Sequence, residues 1–157
     1  MDSTVAAYTA GIVDGEGCIS MEKRKFTLRL YVSNTNLNLL IWIREHWGGH
    51  IKPNHRRAKP NHRAGFNLFL NSKETLFLLE TVLPFLIVKK EEALLVLSIK
   101  YIIRDRNRRN EGQNIRHRAA RQKVYEELKL LKKSQFEIPD KVQSDQSVLK
   151  FPSEEIA

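Results

Sequence analysis

The stretch YTAGIVDGEGCI, residues 8–19, joins a run of small and apolar residues to a turn that holds two carboxyl groups among glycines. The pattern predicts a helix over residues 4–14, which the glycines after it would end, and then a strand over residues 17–24. Asp14 and Glu16 therefore lie at the junction between the two elements. The question is why the chain, which carries a large surplus of Lys and Arg, places two acids at this junction.

The composition is that of a globular domain with a strong positive charge. The chain has 157 residues, 27 Lys and Arg against 18 Asp and Glu, a formal charge of +9 and a pI near 9.8. Such a charge predicts attraction to a polyanion, either nucleic acid or an anionic membrane surface. Cys18 is the only cysteine, and the start of the chain lacks the basic region of a signal peptide. We therefore expect an intracellular, reducing compartment, without knowing which one.

The order of predicted elements indicates one antiparallel sheet with helices on one face, an α+β domain. A strand over residues 25–34 has the clearest alternation in the sequence, with one polar, basic face and an apolar face formed by Phe26, Leu28, Leu30 and Val32. A helix over residues 35–47 and strands over 49–54 and 63–70 follow.

The remainder of the chain is predicted to be helical. Asn71 and Glu74 resemble a capping box for a helix that Pro84 closes. A further amphipathic helix is broken at Gly112, and a last helix covers residues 115–133. We expect a domain over residues 1–135 and a partly ordered tail over residues 136–157.

The acidic turn is compatible with several kinds of site. A helix end with exposed acids is the commonest meaning of such a turn. The spacing excludes an EF-hand and the glycine-rich nucleotide loops. A magnesium site remains, because Mg²⁺ takes one or two carboxylates together with waters and substrate phosphates. Ala7, Gly11 and Asp14 share one helix face, and the small residues make it flat enough for a second copy to bring its own turn close.

Two segments resemble a known family. YTAGIVDGEG, residues 8–17, resembles the LAGLIDADG motif, with Thr9 to Gly11 in place of Leu-Ala-Gly. PFLIVKKEEALLVL, residues 84–97, resembles the segment that carries a basic active-site residue in that family. With the order of elements, the chain resembles single-motif LAGLIDADG homing endonucleases over residues 4–135. The resemblance implies an αββαββα core with a saddle-shaped sheet and extra C-terminal helices.

The resemblance also implies a function. A homodimer would cut both strands of a long, near-palindromic DNA site with Mg²⁺, leaving short 3′ overhangs, and Mn²⁺ or Ca²⁺ could replace Mg²⁺ for binding. The motif helices would meet at the two-fold axis through Ala7, Gly11 and Asp14. The biological role implied for such an enzyme is intron mobility. The sheet of each subunit would lie in the major groove of one half-site.

The resemblance assigns roles to the residues of the acidic turn and its surroundings. Glu16 matches the metal-binding acid, and Gly15 would add a backbone carbonyl. Lys89 matches the basic residue near the attacking water. Asn34 stands where a related enzyme has a Gln that positions this water, and Asn38 stands where a cation is sometimes found, which is a departure from the pattern.

The polar face of the sheet predicts the DNA contacts, because each base pair shows its own donor and acceptor pattern in the major groove. The loop over residues 55–59 and the run over residues 104–109 would meet phosphates, which position without specifying. The predicted DNA-binding residues are Ser20, Glu22, Arg24, Lys25, Thr27, Arg29, Tyr31, Ser33, His50, Lys52, Asn54, Arg63 and Asn67.

Other functions compete with this one. A nucleic-acid-binding protein on the same fold, an intron splicing cofactor (maturase) or a regulator, would keep the sheet without cleavage. The carboxylate at Glu16 argues for cleavage, since apposed like charges cost energy unless a metal offsets them. A membrane-surface protein is disfavoured because the basic residues do not form one helix face beside Trp and Leu. The five histidines lack the spacing of a zinc site.

Overall fold

A computed structural model describes residues 2–54, 64–104 and 111–134. Its first half follows the predicted order and consists of α1 (Ser3–Glu16), β1 (Gly17–Met21), β2 (Leu28–Asn34), α2 (Leu37–Trp47), β3 (His50–Asn54), β4 (Gly65–Leu70) and α3 (Ser72–Val82). A 3₁₀ turn (Leu83–Phe85) leads to α4 (Lys90–Leu97), α5 (Lys100–Arg104) and α6 (Glu111–Ser134). The α+β class and the αββαββα order are confirmed.

The four strands form one antiparallel sheet in the order β1-β2-β4-β3. Leu28, Leu30 and Val32 of β2 are buried, as predicted, and face the helices together with Leu68 and Leu70 of β4. The core continues through the buried sides of α1, α2, α3, α4 and α6. The alternate residues of each strand point away from this core, and we call their side of the sheet the open face.

Helix α1 is anchored in the core on one side only. The Asp2 side chain accepts the Thr4 amide as its N-cap, and Gly17 closes the helix by donating to Val13 O. Thr9 is fully buried, and its hydroxyl lies 3.1 Å from the indole Nε1 of Trp47, which donates to it. The helix runs through Gly15 to Glu16 rather than ending near residue 14, so both acids belong to its last turn.

The first two strands are shorter than predicted. β1 ends at Met21 and β2 begins at Leu28, because residues 22–27 form a turn that Phe26 N closes on Glu22 O at 2.7 Å. Phe26 has a φ of 49°, a left-handed conformation that interrupts the extended backbone. The prediction of continuous strands over residues 17–24 and 25–34 was therefore wrong. Arg24 and Lys25 lie in the turn and not on a strand.

The helices after the sheet confirm one prediction and correct two. The capping box of Asn71 and Glu74 is present, and α3 ends just before the 3₁₀ turn that contains Pro84. The amphipathic helix after it is two helices, α4 and α5. Gly112 lies within α6 and does not break it, since one glycine costs a helix only about 1 kcal/mol and tertiary packing of buried Val124 and Leu128 offsets this.

Candidate functional site

The carboxyl end of α1 presents Glu16 beside the first strand. Glu16 is exposed, and its carboxylate makes no hydrogen bond or ion pair with any described residue. Glu16 is the last residue of α1, directly after Gly15, and the last carbonyls of a helix point out of its C-terminal end. A carboxylate next to helix C-terminal carbonyls concentrates oxygen ligands and negative potential. The arrangement suits a hard cation that needs few protein ligands.

Asp14 joins this helix end to the segment before α4. Its Oδ2 accepts the amides of Ile87 (2.8 Å) and Val88 (3.2 Å), and its Oδ1 accepts the amide of Lys89 (2.9 Å). Three charge-assisted hydrogen bonds to consecutive amides fix this segment against α1. The carboxylate of Asp14 therefore faces its own subunit. It does not point along the face of α1 that Asp14 was predicted to share with Ala7 and Gly11.

Lys89 reaches the end of α1 from the start of α4. It is the N-cap residue of α4, it is half-buried, and its ammonium donates to Asp14 O. That carbonyl belongs to the residue two positions before Glu16, so the structure brings Lys89 and the end of α1 together. The ammonium of Lys89 is thus held against the end of α1 rather than left in solvent.

Asn34 lies at the end of β2, two residues past Val32, which pairs with Gly17. Its Oδ1 accepts the amide of Asn36 at 2.8 Å, forming the turn that leads into α2. Asn38 is exposed on α2. Asn34 is therefore placed beside the end of α1, with part of its hydrogen-bonding capacity used in the turn.

One face of α1 is bare. Ala7, Gly11 and Gly15 are exposed, and a methyl group added at either glycine would meet no atom within 4 Å. The segment that Asp14 holds adds apolar surface next to this face, since Ile87 is 86% exposed and Val88 is 60% exposed. Apolar side chains this exposed, beside a helix face that lacks side chains, mark a surface that another molecule can cover.

The register of the sheet places most of the predicted DNA-binding residues on the open face. Ser20 lies opposite Arg29 on the neighbouring strand, and Lys52 lies opposite Asn67. The Ser33 hydroxyl donates to Asn67 Oδ1 at 2.6 Å. Arg24, Lys25 and Thr27 belong to the turn region before β2. Arg63, the loop over residues 55–59 and the run over 105–109 lie outside the described residues. Glu22 also lies in the turn before β2, where it pairs with Arg29, so the open-face set is Ser20, Arg29, Tyr31, Ser33, His50, Lys52, Asn54 and Asn67.

An aromatic row crosses the same face and was not predicted. Phe69 pairs with both Tyr31 and His50, and its ring lies 6.1 Å from the first and 5.5 Å from the second. Alternation in GFNLFL places Phe69 opposite Leu68 and Leu70, which was the available signal. A hydrogen bond with the Cys18 thiol, and then burial, raise the pKa of Tyr31 to about 12.

A buried ion pair, also not predicted, ties α6 to the start of the sheet. Glu92 of α4 is 2% exposed, and its Oε2 lies 3.3 Å from Lys132 Nζ. The same ammonium donates to Ile19 O of β1 at 2.5 Å and lies 3.4 Å from Cys18 Sγ. Residues 40 positions apart make this contact, so no local pattern in the sequence could indicate it.

The described residues contain no cluster of three or more His, Cys, Asp or Glu side chains able to hold a metal. At the end of α1, the described part of one chain offers the exposed Glu16 carboxylate and nearby carbonyls. None of its described helices is long and apolar enough to cross a membrane.

Solved structures share this architecture, although neither family models nor curated proteins gave a match. The homing endonuclease I-CvuI, in complex with its target in the presence of Ca, has a TM-score of 0.56 and 23% identity over 77% of this chain and 80% of its own. The archaeal intron-encoded homing endonuclease I-Vdi141I, complexed with DNA, has a TM-score of 0.61 and 19% identity, covering 82% and 84%.

A third structure is I-SmaMI bound to an uncleaved DNA target in the presence of calcium ions. It has a TM-score of 0.50 and 20% identity, and the alignment covers 79% of this chain but 43% of the other. At these identities the likeness concerns the fold. The chain therefore has the fold of the homing endonucleases, and its segment that resembles LAGLIDADG forms the C-terminal part of α1 and the first residue of β1.

Proposed function

We propose that this chain is a site-specific DNA endonuclease that works as a homodimer with Mg²⁺. The observation that carries the proposal is the convergence at the end of α1, where an exposed acid, helix carbonyls and a lysine meet beside a polar, basic sheet face. The solved structures of similar fold support it, because they are homing endonucleases in complex with DNA.

The residues at the end of α1 divide the work. Glu16, with the Gly15 carbonyl, would hold the cation. When bound, a divalent cation neutralises phosphate charge and activates water. Lys89 would stabilise negative charge that develops at the phosphate, and its tie to Asp14 O fixes the position of its ammonium. Asp14 positions this lysine without touching the substrate.

The open face would hold the duplex while the end of α1 acts on it. Arg29, Lys52 and Asn67 offer the hydrogen-bonding groups that read guanine and adenine edges in the major groove. Phe69, an apolar side chain on the same face, suits the methyl group of thymine. Two such faces are needed for a long site, and two ends of α1 are needed to cut both strands.

The bare face of α1 supports the homodimer. Two copies of a helix without side chains at Gly11 and Gly15 can approach closely across a two-fold axis, because the distance between packed helices depends on the side chains between them. Exposed Ile87 and Val88 would be covered by the same contact. Both Glu16 carboxylates would then lie on one side of the dimer.

The test uses a randomised duplex library, with wild type, Glu16→Gln and the control Glu45→Gln, an exposed acid on α2. Each is incubated with Mg²⁺, with Ca²⁺ and with EDTA. We expect discrete cleavage only with Mg²⁺ for wild type and the control, and recovery of the same bound sites with Ca²⁺ for Glu16→Gln, with cleavage reduced at least about 10³-fold. Equal binding without cleavage by all three proteins would overturn the endonuclease proposal. It would favour the alternative of a non-cleaving nucleic-acid-binding protein, such as a splicing cofactor or a regulator.

A further inference from the structure

A basic groove lies at the end of the sheet opposite to Glu16. Its walls are the turn over residues 22–27, the first residues of β2 and β3, the end of β4, the start of α3, and parts of α5 and α6. Gly17 begins β1 at one end of the sheet, whereas Leu28 begins β2 at the other. The groove thus continues the open face past its last strand residues and down onto the helices.

The charge of this basic groove has one sign. Among the described residues that line it there is no Asp or Glu, and there are seven Lys and Arg. The sheet and its turn contribute Lys25, Arg29 and Lys52. The helices contribute Lys73, Arg104, Arg118 and Arg121. Cations from two strands, three helices and one turn therefore converge on one depression, which is not explained by the surplus of charge along any single helix.

Several of these cations are not neutralised from behind. Arg29 pairs with Glu22 at 3.3 Å and Arg104 with Glu80 at 2.5 Å. Lys25, Lys52, Lys73 and Arg118 make no ion pair with any residue that the structure describes, and all four are exposed. Unpaired like charges in one groove repel each other, which is a cost that an anionic partner removes.

Two features hold the groove in shape without an anion. The guanidinium of Arg118 lies 5.6 Å from the ring centroid of Phe26, the residue with positive φ, so the turn and α6 meet there. Arg121 Nη2 donates to Ile102 O at 2.6 Å and joins α6 to α5. The side chain of Asn71 already accepts the amides of Lys73 and Glu74, so these two amides at the N-terminus of α3 are not donors to a ligand.

We propose that this basic groove binds the phosphate backbone of the duplex that flanks the recognition site, outside the base pairs read by the open face. The inference rests on the proposed function and extends it to a second contact region. Flexible Lys and Arg side chains from α3 and α6 match evenly spaced phosphates, which position the duplex without reading its sequence. A duplex that follows the open face away from Glu16 reaches these helices next.

The experiment measures affinity for two duplexes, one ending at the selected site and one extended by about 10 base pairs on each side. The test variant is Lys73→Ala with Arg118→Ala. The matched control is Arg116→Ala with Lys129→Ala, which removes the same charge from exposed positions outside the groove. Ca²⁺ replaces Mg²⁺ so that binding is measured without cleavage, and thermal unfolding checks the fold of each variant.

We expect wild type to bind the extended duplex about tenfold more tightly, and the test variant to lose this gain while keeping its affinity for the short duplex within about twofold. The slope of log affinity against log salt for the extended duplex should decrease by about 2 for each subunit. The control pair should keep the gain.

Two results would overturn the inference while leaving the proposed function intact. One is a wild type that binds both duplexes equally. The other is a test variant that weakens binding to the short duplex as much as to the extended one, which would place the cations at the site itself. A wild type that binds no duplex would instead overturn the proposed function.

Discussion

At one end of the sheet, Asp14 holds three consecutive amides and Lys89 donates back to the same residue, so a few groups are fixed in one arrangement. At the other end, the basic groove gathers seven cations from two strands, three helices and a turn, and four of them make no ion pair with a described residue. The first end suits chemistry, where a displacement of 1 Å is costly. The second suits a phosphate backbone, where total charge matters more than the position of any one group.

Among the variants that test this comparison, Asp14→Ala should have the largest effect, because it breaks the fixed end. Three amides lose their acceptor, and we expect a loss of about 2–3 kcal/mol in the free energy of unfolding and of at least about 100-fold in cleavage rate. Urea unfolding and single-turnover cleavage measure the two quantities. Asp14→Asn, which keeps one acceptor oxygen, should fall between. Wild-type cleavage by Asp14→Ala would show that the link does not position Lys89.

A comparable effect on stability is expected where α6 meets the sheet. Lys132→Met leaves the buried Glu92 carboxylate without its partner, which should cost about 3 kcal/mol of unfolding free energy. The double variant Glu92→Gln with Lys132→Met removes both charges and should recover most of the loss. Urea unfolding of the two variants makes the comparison. Equal destabilisation of the single and double variants would mean that packing, not charge, is what Lys132 supplies.

Smaller effects are expected at the bare face of α1, where one substitution should raise stability and weaken self-association. Gly11→Ala meets no atom in the subunit, so it should raise the unfolding free energy of dilute protein by up to about 1 kcal/mol. The same methyl group should weaken the proposed dimer by separating the two copies of α1. Thermal unfolding and sedimentation over a range of concentrations measure both effects. A more stable protein with unchanged self-association would mean that the two-fold contact uses another surface.

The smallest effect concerns the open face at high pH. The raised pKa of Tyr31, about 12 against its ordinary 10.0, means that the folded protein favours the neutral phenol. This contribution to stability is complete below pH 10 and is lost as pH rises through 12. Absorbance titration should show one of the four tyrosines ionising late, and Cys18→Ala should move it back toward 10. Four tyrosines that titrate together would contradict the Cys18 contact.

Local sequence patterns predicted much of the fold but only part of the site. Period-two alternation placed Leu28, Leu30 and Val32 on the core side, and the capping box placed the start of α3, because both depend on neighbours along the chain. The turn over residues 22–27 was not predicted, since Phe26 has a positive φ that its residue type does not favour.

Long-range contacts explain what remained out of reach. Asp14 meets Lys89 across 75 residues, and Lys132 meets Ile19 across 113. The resemblance to the family suggested both Glu16 and Lys89, but not that the carboxylate of Asp14 fixes the segment that carries Lys89. The basic groove takes its cations from strands, helices and a turn that are far apart in the sequence, so its single sign of charge becomes visible only after folding.

The two outer strands have a consequence for the protein before it meets any partner. A sheet whose face is kept uncovered also has edges, and unpaired edge amides and carbonyls invite the strands of other molecules. Lys132 occupies Ile19 O on the β1 side, and β3 carries Lys52 and Pro53, a charge and a residue with no amide to donate. The chain thus leaves one face of its sheet uncovered, while both edges carry features that disfavour pairing with the strands of other molecules.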